Sequence, residues 1–127
     1  LDGASSKSIE FDIVQDADRL EALGAIGIAR TFSYGASKNR PFFDETIFPI
    51  LHSDSKSYRS SQSPSINHFF EKLFLLKDTM RTSTGKALAV ERHQLMWAYL
   101  DGFFKEYTFC DQQNMGKWLA LLDEHKV

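Results

Sequence analysis

With 127 residues, 43% of them hydrophobic and 13% aromatic, the chain has the size of one domain and ample material for a core, which excludes a disordered polypeptide. Its 15 basic and 17 acidic residues give a formal charge of −2, with neither the basic stripe nor the basic total of a nucleic-acid polymer binder. The one cysteine, Cys110, excludes an internal disulfide framework and a multi-cysteine zinc site. No apolar run of about 18 residues exists to span a membrane.

The opening residues, Leu1 to Ser6, lack a signal-peptide core, and the missing initiator methionine leads us to expect a processed or truncated protein. Cys110 reads as an inert, partly buried thiol, which fits a reducing, cytoplasmic setting. The first strong segment runs over residues 9–34. Ile13, Ala17, Leu20, Gly24 and Ile28 recur at helical spacing. Gly24 and Gly27 would each cost about 1 kcal/mol inside a helix, which points to close packing or a bend. Gly35 is placed to cap its end.

An irregular loop is expected over 36–64, punctuated by Pro41, Pro49 and Pro64. Loops of this length are usually functional or mobile. Phe42, Phe43, Ile47, Phe48, Ile50 and Leu51 argue that its first half packs down, and the serine-rich 53–63 reads as solvated and flexible. A second helix starts with Ser65 as N-cap and carries Ile66, Phe69, Phe70, Leu73, Leu76 and Met80 on one face through residue 80. The third runs from 82 or 83 to about 109. Its stripe is Leu88, Arg92, Leu95, Tyr99, Phe103 and Tyr107, widened by Met96, Leu100 and Phe104. A tail helix over 115–125, within a C-terminal extension 110–127, carries Trp118, Leu119, Leu121 and Leu122. No alternating strand pattern of useful length appears. The expected class is all-α: one domain over 1–127 with three main helices, a tail helix and one long loop.

Asp12, Asp16, Asp18, Arg19 and Glu21 cluster on the first helix. Spacing alone favours a solvated acidic first turn over a metal or phosphate site. At about 100° per residue, Asp16 and Asp18 diverge by about 160°, so at most one of them ligates a given ion. His68, with Lys72 one turn later, reads equally as a phosphate contact and as an ordinary surface histidine beside Glu71. His93 reads as structural, and neither His52 nor His125 has a clear partner in sequence. Tyr34, Lys38 and Arg40 form a polar-aromatic group able to grip a base or phosphate. The plainer reading of that group is an exposed loop with stray basic residues. Neither G-x-S-x-G nor G-x-x-x-x-G-K-[ST] is present.

Two strings carry a family resemblance. IVQDADRLEALGAIGIARTFSY, from Ile13 to Tyr34, and NHFFEKLFLLKDTMRTSTGKALAVERHQLMWAYLDGFFKEY, from Asn67 to Tyr107, closely resemble segments of HD-superfamily hydrolases. With the intervening loop they span about three quarters of the chain. The resemblance implies a helical metal-dependent phosphohydrolase holding a divalent ion (Mn, Mg or Fe) through two histidines and two aspartates. By the same resemblance the later aspartate ligand is Asp18, Asp16 is second to it or faces substrate, and Arg19, His68 and Lys72 contact substrate phosphates. A phosphate-containing small molecule, of the nucleotide class, is the implied substrate.

The departure is large. No His-Asp pair occurs, and all four histidines, His52, His68, His93 and His125, lie downstream of Asp18, whereas the family's other ligands lie upstream. The expectation is therefore the C-terminal part of such an enzyme, inactive alone and needing its N-terminal half or self-associating. The rival expectation is a non-catalytic helical binding or assembly module of the same descent, exposing apolar surface where other helices should pack.

Overall fold

The computed structural model describes residues 2–51, 63–110 and 115–127, with side chains described for 8–51, 63–107 and 115–127. Every regular element among them is helical: α1 (Asp2–Leu20), α2 (Gly24–Ser37), α3 (Ser65–Glu71), a 3-10 helix (Leu73–Thr79), α4 (Ser83–Cys110) and α5 (Met115–Glu124). None is long and apolar enough to cross a membrane. The expectations for His52, for the side chain of Cys110 and for the flexible loop over 53–62 fall outside the described residues.

The long helix expected over 9–34 is two helices. After Leu20 the backbone tightens into i→i+3 bonds, Ala22 N–H to Arg19 O and Leu23 N–H to Leu20 O, and Gly24 then takes a φ of +80°. Arg92 fixes the break from α4. Its Nη1 donates to Leu20 O at 2.7 Å, and its Cγ lies 3.0 Å from where a Gly24 Cβ would be. An L side chain at position 24 therefore meets both a left-handed backbone and the arginine stem. Gly24→Ala is expected to lower stability by about 1–2 kcal/mol, read as a reduced thermal midpoint; an unchanged midpoint would mean that the break is not enforced at this residue.

Gly35 is a buried residue within α2, not its cap. The helix ends three residues later in a Schellman turn. Asn39 adopts φ +58°, its N–H bonds Ala36 O at 3.0 Å, and the Arg40 N–H bonds Gly35 O at 2.8 Å. That is the 5→2 and 6→1 pattern closing orphan carbonyls, and Pro41 then stops the helix from resuming. Ser65 is likewise not an N-cap: Pro64 holds that position. The first N–H groups of α3 are satisfied across the loop instead, Ser65 to Pro41 O and Ile66 to Phe42 O, each at 3.0 Å.

The second apolar segment keeps its expected face but not one helix type. Ile66, Phe69, Phe70, Leu73 and Met80 are buried, with the chain tightening to 3-10 geometry after Lys72. On α4 the core centres on Met96, Leu100 and Phe104, expected only to widen the stripe, and not on its expected middle. Ala89, His93, Met96, Leu100 and Phe104 are buried, whereas Leu88, Leu95 and Tyr99 are exposed. The helix is apolar on both sides, so periodicity alone could not choose between them. Phe43 packs inward as expected, but Phe42, Ile47, Phe48 and Leu51 stay exposed.

Helix α4 is the hub, contacting α1, α2, the 3-10 helix and α5. Trp118 of α5 is fully buried, with ring centroids of Phe43 at 4.7 Å, Phe70 at 5.9 Å and Phe104 at 5.9 Å. Its Nε1 donates to Glu45 O at 3.1 Å. The C-terminal carbonyls of α5 receive ring donors from α4: Trp97 Nε1 to Leu122 O at 2.8 Å and His93 Nε2 to His125 O at 2.7 Å. These bonds supply the partners that a helix C-terminus lacks.

Candidate functional site

The residues singled out in sequence separate into two places. Asp16 is buried at the α1–α4 junction. Its Oδ1 accepts the Arg81 N–H at 2.9 Å, and its Oδ2 accepts the Thr82 N–H at 2.8 Å and the Thr82 hydroxyl at 2.6 Å. Thr82 Oγ1 in turn accepts the Gly85 N–H at 2.9 Å, as an N-cap does. Asp16 thus staples α1 to the start of α4. Gly85 leaves it room, since a Cβ there would collide with Asp16 Oδ2. Burial pushes the Asp16 carboxyl up, but the bonds from Thr82 and Arg81 outweigh it and hold the group below its ordinary value.

Arg19 works at the same junction: its Nη1 donates to Thr79 O at 2.9 Å. With Arg92 on Leu20 O, three polar grips surround the last turn of α1. Asp18, on that turn, is exposed. Asp16 and Asp18 occupy different environments, as their angular separation requires.

His68 belongs to the second place, a pocket of about 300 Å³ between α2 and α3 lined by Ala22, Gly27, Arg30, Thr31, Tyr34, Gly35, Arg40, Ser65 and His68. Ala22, four residues past Asp18, lines this pocket, and Asp18 does not. His68 is half-buried. Burial first, then the charges of Lys72 and Arg40, push its imidazole down to about 4, so it is neutral at pH 7. Lys72 is exposed and does not line the pocket.

Sequence reasoning passed over Arg30, read Ser65 only as an N-cap, and read Arg40 as part of a stray basic group. Arg40 and Lys38 both lie against the Tyr34 ring, at 5.6 and 5.7 Å from its centroid, a cation–π arrangement. Arg30 lies 3.7 Å from Glu21 Oε2 in an exposed pair. Ser65 is 4% exposed, and its Oγ has no hydrogen-bond partner. The nearby signal was the tripeptide Asn39-Arg40-Pro41, whose turn chemistry predicts a fixed arginine; nothing local reveals that Ser65 lies opposite Gly35.

Among the described residues no group of three His, Cys, Asp or Glu side chains is placed to hold a metal ion. A divalent-ion site takes several protein ligands, so Asp18 does not by itself fit one.

No family model matches the chain. It is 39% identical over 106 residues to the uncharacterized protein YpgQ of Bacillus subtilis, covering 84% of this chain and 44% of YpgQ. A crystal structure of a Lactobacillus plantarum protein is 45% identical with a TM-score of 0.73, over 76% of this chain and 47% of that one. An HD-superfamily hydrolase from Bacillus thuringiensis is 49% identical with a TM-score of 0.67, over 79% of this chain and 47% of that one. YpgQ itself has been solved in complex with ADP; that structure is 37% identical with a TM-score of 0.62, over 77% of this chain and 45% of its own. The chain therefore spans less than half the length of the relatives it matches.

Proposed function

We propose that this chain is the C-terminal part of an HD-type, divalent-metal-dependent phosphohydrolase acting on nucleotides or related phosphate esters. One observation carries the reading. Asp18 stands exposed on a turn locked by Asp16, Arg19 and Arg92, in a chain 49% identical to an HD-superfamily hydrolase. The ADP seen with YpgQ supports the nucleotide class.

In this reading Asp18 is one ligand of a divalent ion (Mn, Mg or Fe) whose other ligands come from polypeptide outside these residues. His68 and Lys72 face the substrate phosphates. Asp16, whose two oxygens accept from Arg81 and Thr82, and Arg19, whose Nη1 donates to Thr79 O, position the Asp18 turn. A reducing, cytoplasmic setting goes with this assignment.

The complementary polypeptide has a surface waiting for it. Ile9 and Ile13 on one side of α1, and Phe11 and Val14 on the other, are more than half exposed. Large apolar side chains exposed on two sides of one helix mark a surface that another element covers. Leu88, Leu95 and Ile26 continue the exposed apolar surface along α4 and α2. Upstream helices packed here would complete both the core and the ligand set, and in their absence self-association covers the same surface.

The test is a chimera placing the uncovered half of YpgQ ahead of residue 1, assayed with Mn²⁺ for phosphate or pyrophosphate release from nucleoside di- and triphosphates. Metal-stimulated turnover is expected, and Asp18→Ala is expected to lower it by at least about 100-fold, at or beyond the range for groups that only support a ligand. A folded chimera without metal-stimulated turnover would sink the reading and leave a helical binding or assembly module.

A further inference from the structure

The pocket between α2 and α3 is built for an anion whatever the chain's catalytic state. Two guanidinium groups, Arg30 and Arg40, and the hydroxyl-bearing Thr31, Tyr34 and Ser65 line it together with His68, and no carboxylate is among its lining residues. We propose that this pocket seats a phosphate-type oxyanion gripped by Arg30 and Arg40, with the Ser65 hydroxyl as a hydrogen-bond donor. As the phosphate of a substrate, that oxyanion rests on the phosphohydrolase reading above; the seat itself stands on the pocket's own chemistry.

Ser65 supplies the first argument. Its Oγ is buried without a partner, wedged where a Cβ on Gly35 would collide with it. An unsatisfied buried hydroxyl costs about 1–3 kcal/mol, and the cost is recovered when a ligand oxygen enters the pocket that Ser65 lines. Thr31 cannot play this part as freely, because its hydroxyl already donates to Gly27 O at 2.8 Å.

Arg40 supplies the second. It follows the left-handed Asn39, its N–H is tied to Gly35 O, and its guanidinium rests on the Tyr34 ring. Among the described residues it makes no ion pair. A guanidinium held in place and not spent on a carboxylate keeps its planar fork for two oxygens of one phosphoryl group. Preorganisation of this kind lowers the ordering cost of binding. Among the described residues Arg30 meets Glu21, Nη1 lying 3.5 Å from its backbone O and 3.7 Å from its exposed Oε2, contacts that surface solvent leaves weak.

The third argument is electrostatic. His68 feels Lys72 and Arg40 as repulsive charges, while Glu71, across from Arg40, has one oxygen accepting the Ile50 N–H at 2.8 Å. The pocket lining itself carries positive charge and no carboxylate; Glu71 and Glu21 attract Arg40 and Arg30 from outside it. A dianion among these groups reverses the field at His68 and favours the imidazolium, which then adds a further donor. At about 300 Å³ the space is at the lower end of ligand pockets, suited to a phosphate or pyrophosphate group and not to a whole cofactor.

The experiment uses the 127-residue chain without metal, following the His68 ring by NMR across pH with and without sulfate, whose charge does not change over this range. Saturating sulfate is expected to raise the His68 titration by about one unit or more. Pyrophosphate is expected to bind by calorimetry, with Arg40→Gln and Ser65→Ala each weakening it by about tenfold, while Arg81→Gln, outside the pocket, leaves it unchanged. An unmoved His68 titration, equal binding of acetate and sulfate, or an affinity indifferent to Arg40→Gln in a folded protein would overturn the seat. The His68 titration needs no variant and so does not depend on a substitution folding. Oxyanion binding without turnover in the chimera sinks the hydrolase reading alone; turnover with no binding at this pocket sinks the seat alone.

Discussion

Asp16→Ala is expected to destabilise the fold by on the order of 3 kcal/mol, while Asp18→Ala, two residues away, is expected to leave stability within about 0.5 kcal/mol. The contrast follows from what each carboxylate touches. Asp16 accepts from Arg81 N–H, Thr82 N–H and the Thr82 hydroxyl, and hydrogen bonds to an ionised group contribute more than neutral ones. Removing it strips the α4 N-terminus of a negative partner and leaves donors in a part-buried junction. Asp18 is exposed and carries no comparable duty in the fold. A thermal midpoint lower by roughly 10 °C for the first variant and unchanged for the second is the expected melting result. If both variants melted like the parent, Asp16 would not be the staple described, and the difference between the two aspartates would need another basis. Asp16→Asn is expected to fall between, since its amide keeps one acceptor but presents N–H to a donor.

Why the sequence separated these aspartates without saying which was buried is a matter of range. The helical angle between positions 16 and 18 is local and set by the chain. The partners that bury Asp16, at 81 and 82, are 65 and 66 residues away, and no periodicity carries that information. The all-α class was legible because apolar spacing is a local signal and α3, the 3-10 helix and α5 bury most of the faces that spacing marks. It failed where two local readings were equally good. On α4 both Leu88-Leu95-Tyr99 and Ala89-Met96-Leu100 keep helical spacing, and tertiary contact chose the second.

The pocket was the least legible feature. Gly35 read as a cap because glycine so often ends helices, yet the chain here used Asn39 for the left-handed turn and kept Gly35 inside α2 to admit Ser65. Arg30, Arg40 and His68 come from three separate segments, so their convergence depends on how α2 folds back on α3. The resemblance to HD hydrolases marked Asp18 and His68 but could not show that Asp16 and Arg19 spend their polar atoms on the junction.

Acidification is expected to weaken the fold in two separable steps, and the upper step belongs to histidine. His68 is held near 4 by burial, Lys72 and Arg40. His93 is also held below its ordinary value, by burial first and against the pull of its bond to His125 O, and burial does the same to His125. A base whose folded pKa is depressed binds its proton more readily when unfolded. Its stabilising contribution is complete above the unfolded pKa of about 6.5 and is lost as pH falls toward the folded value. For His68 the loss is on the order of 3 kcal/mol by pH 4. Asp16 acts in the other window: its folded pKa lies below 3.8, so the staple keeps its contribution until pH falls under about 4. Urea unfolding at pH 7, 5.5 and 4.5 should therefore show a steady fall, and His68→Gln should flatten it. Sulfate should flatten it too, because an oxyanion beside Arg40 lets the folded protein keep a protonated His68. A slope in His68→Gln equal to the parent's would place the acid sensitivity with His93 and His125 instead, whose ring centroids lie 4.8 and 5.1 Å from that of Phe74.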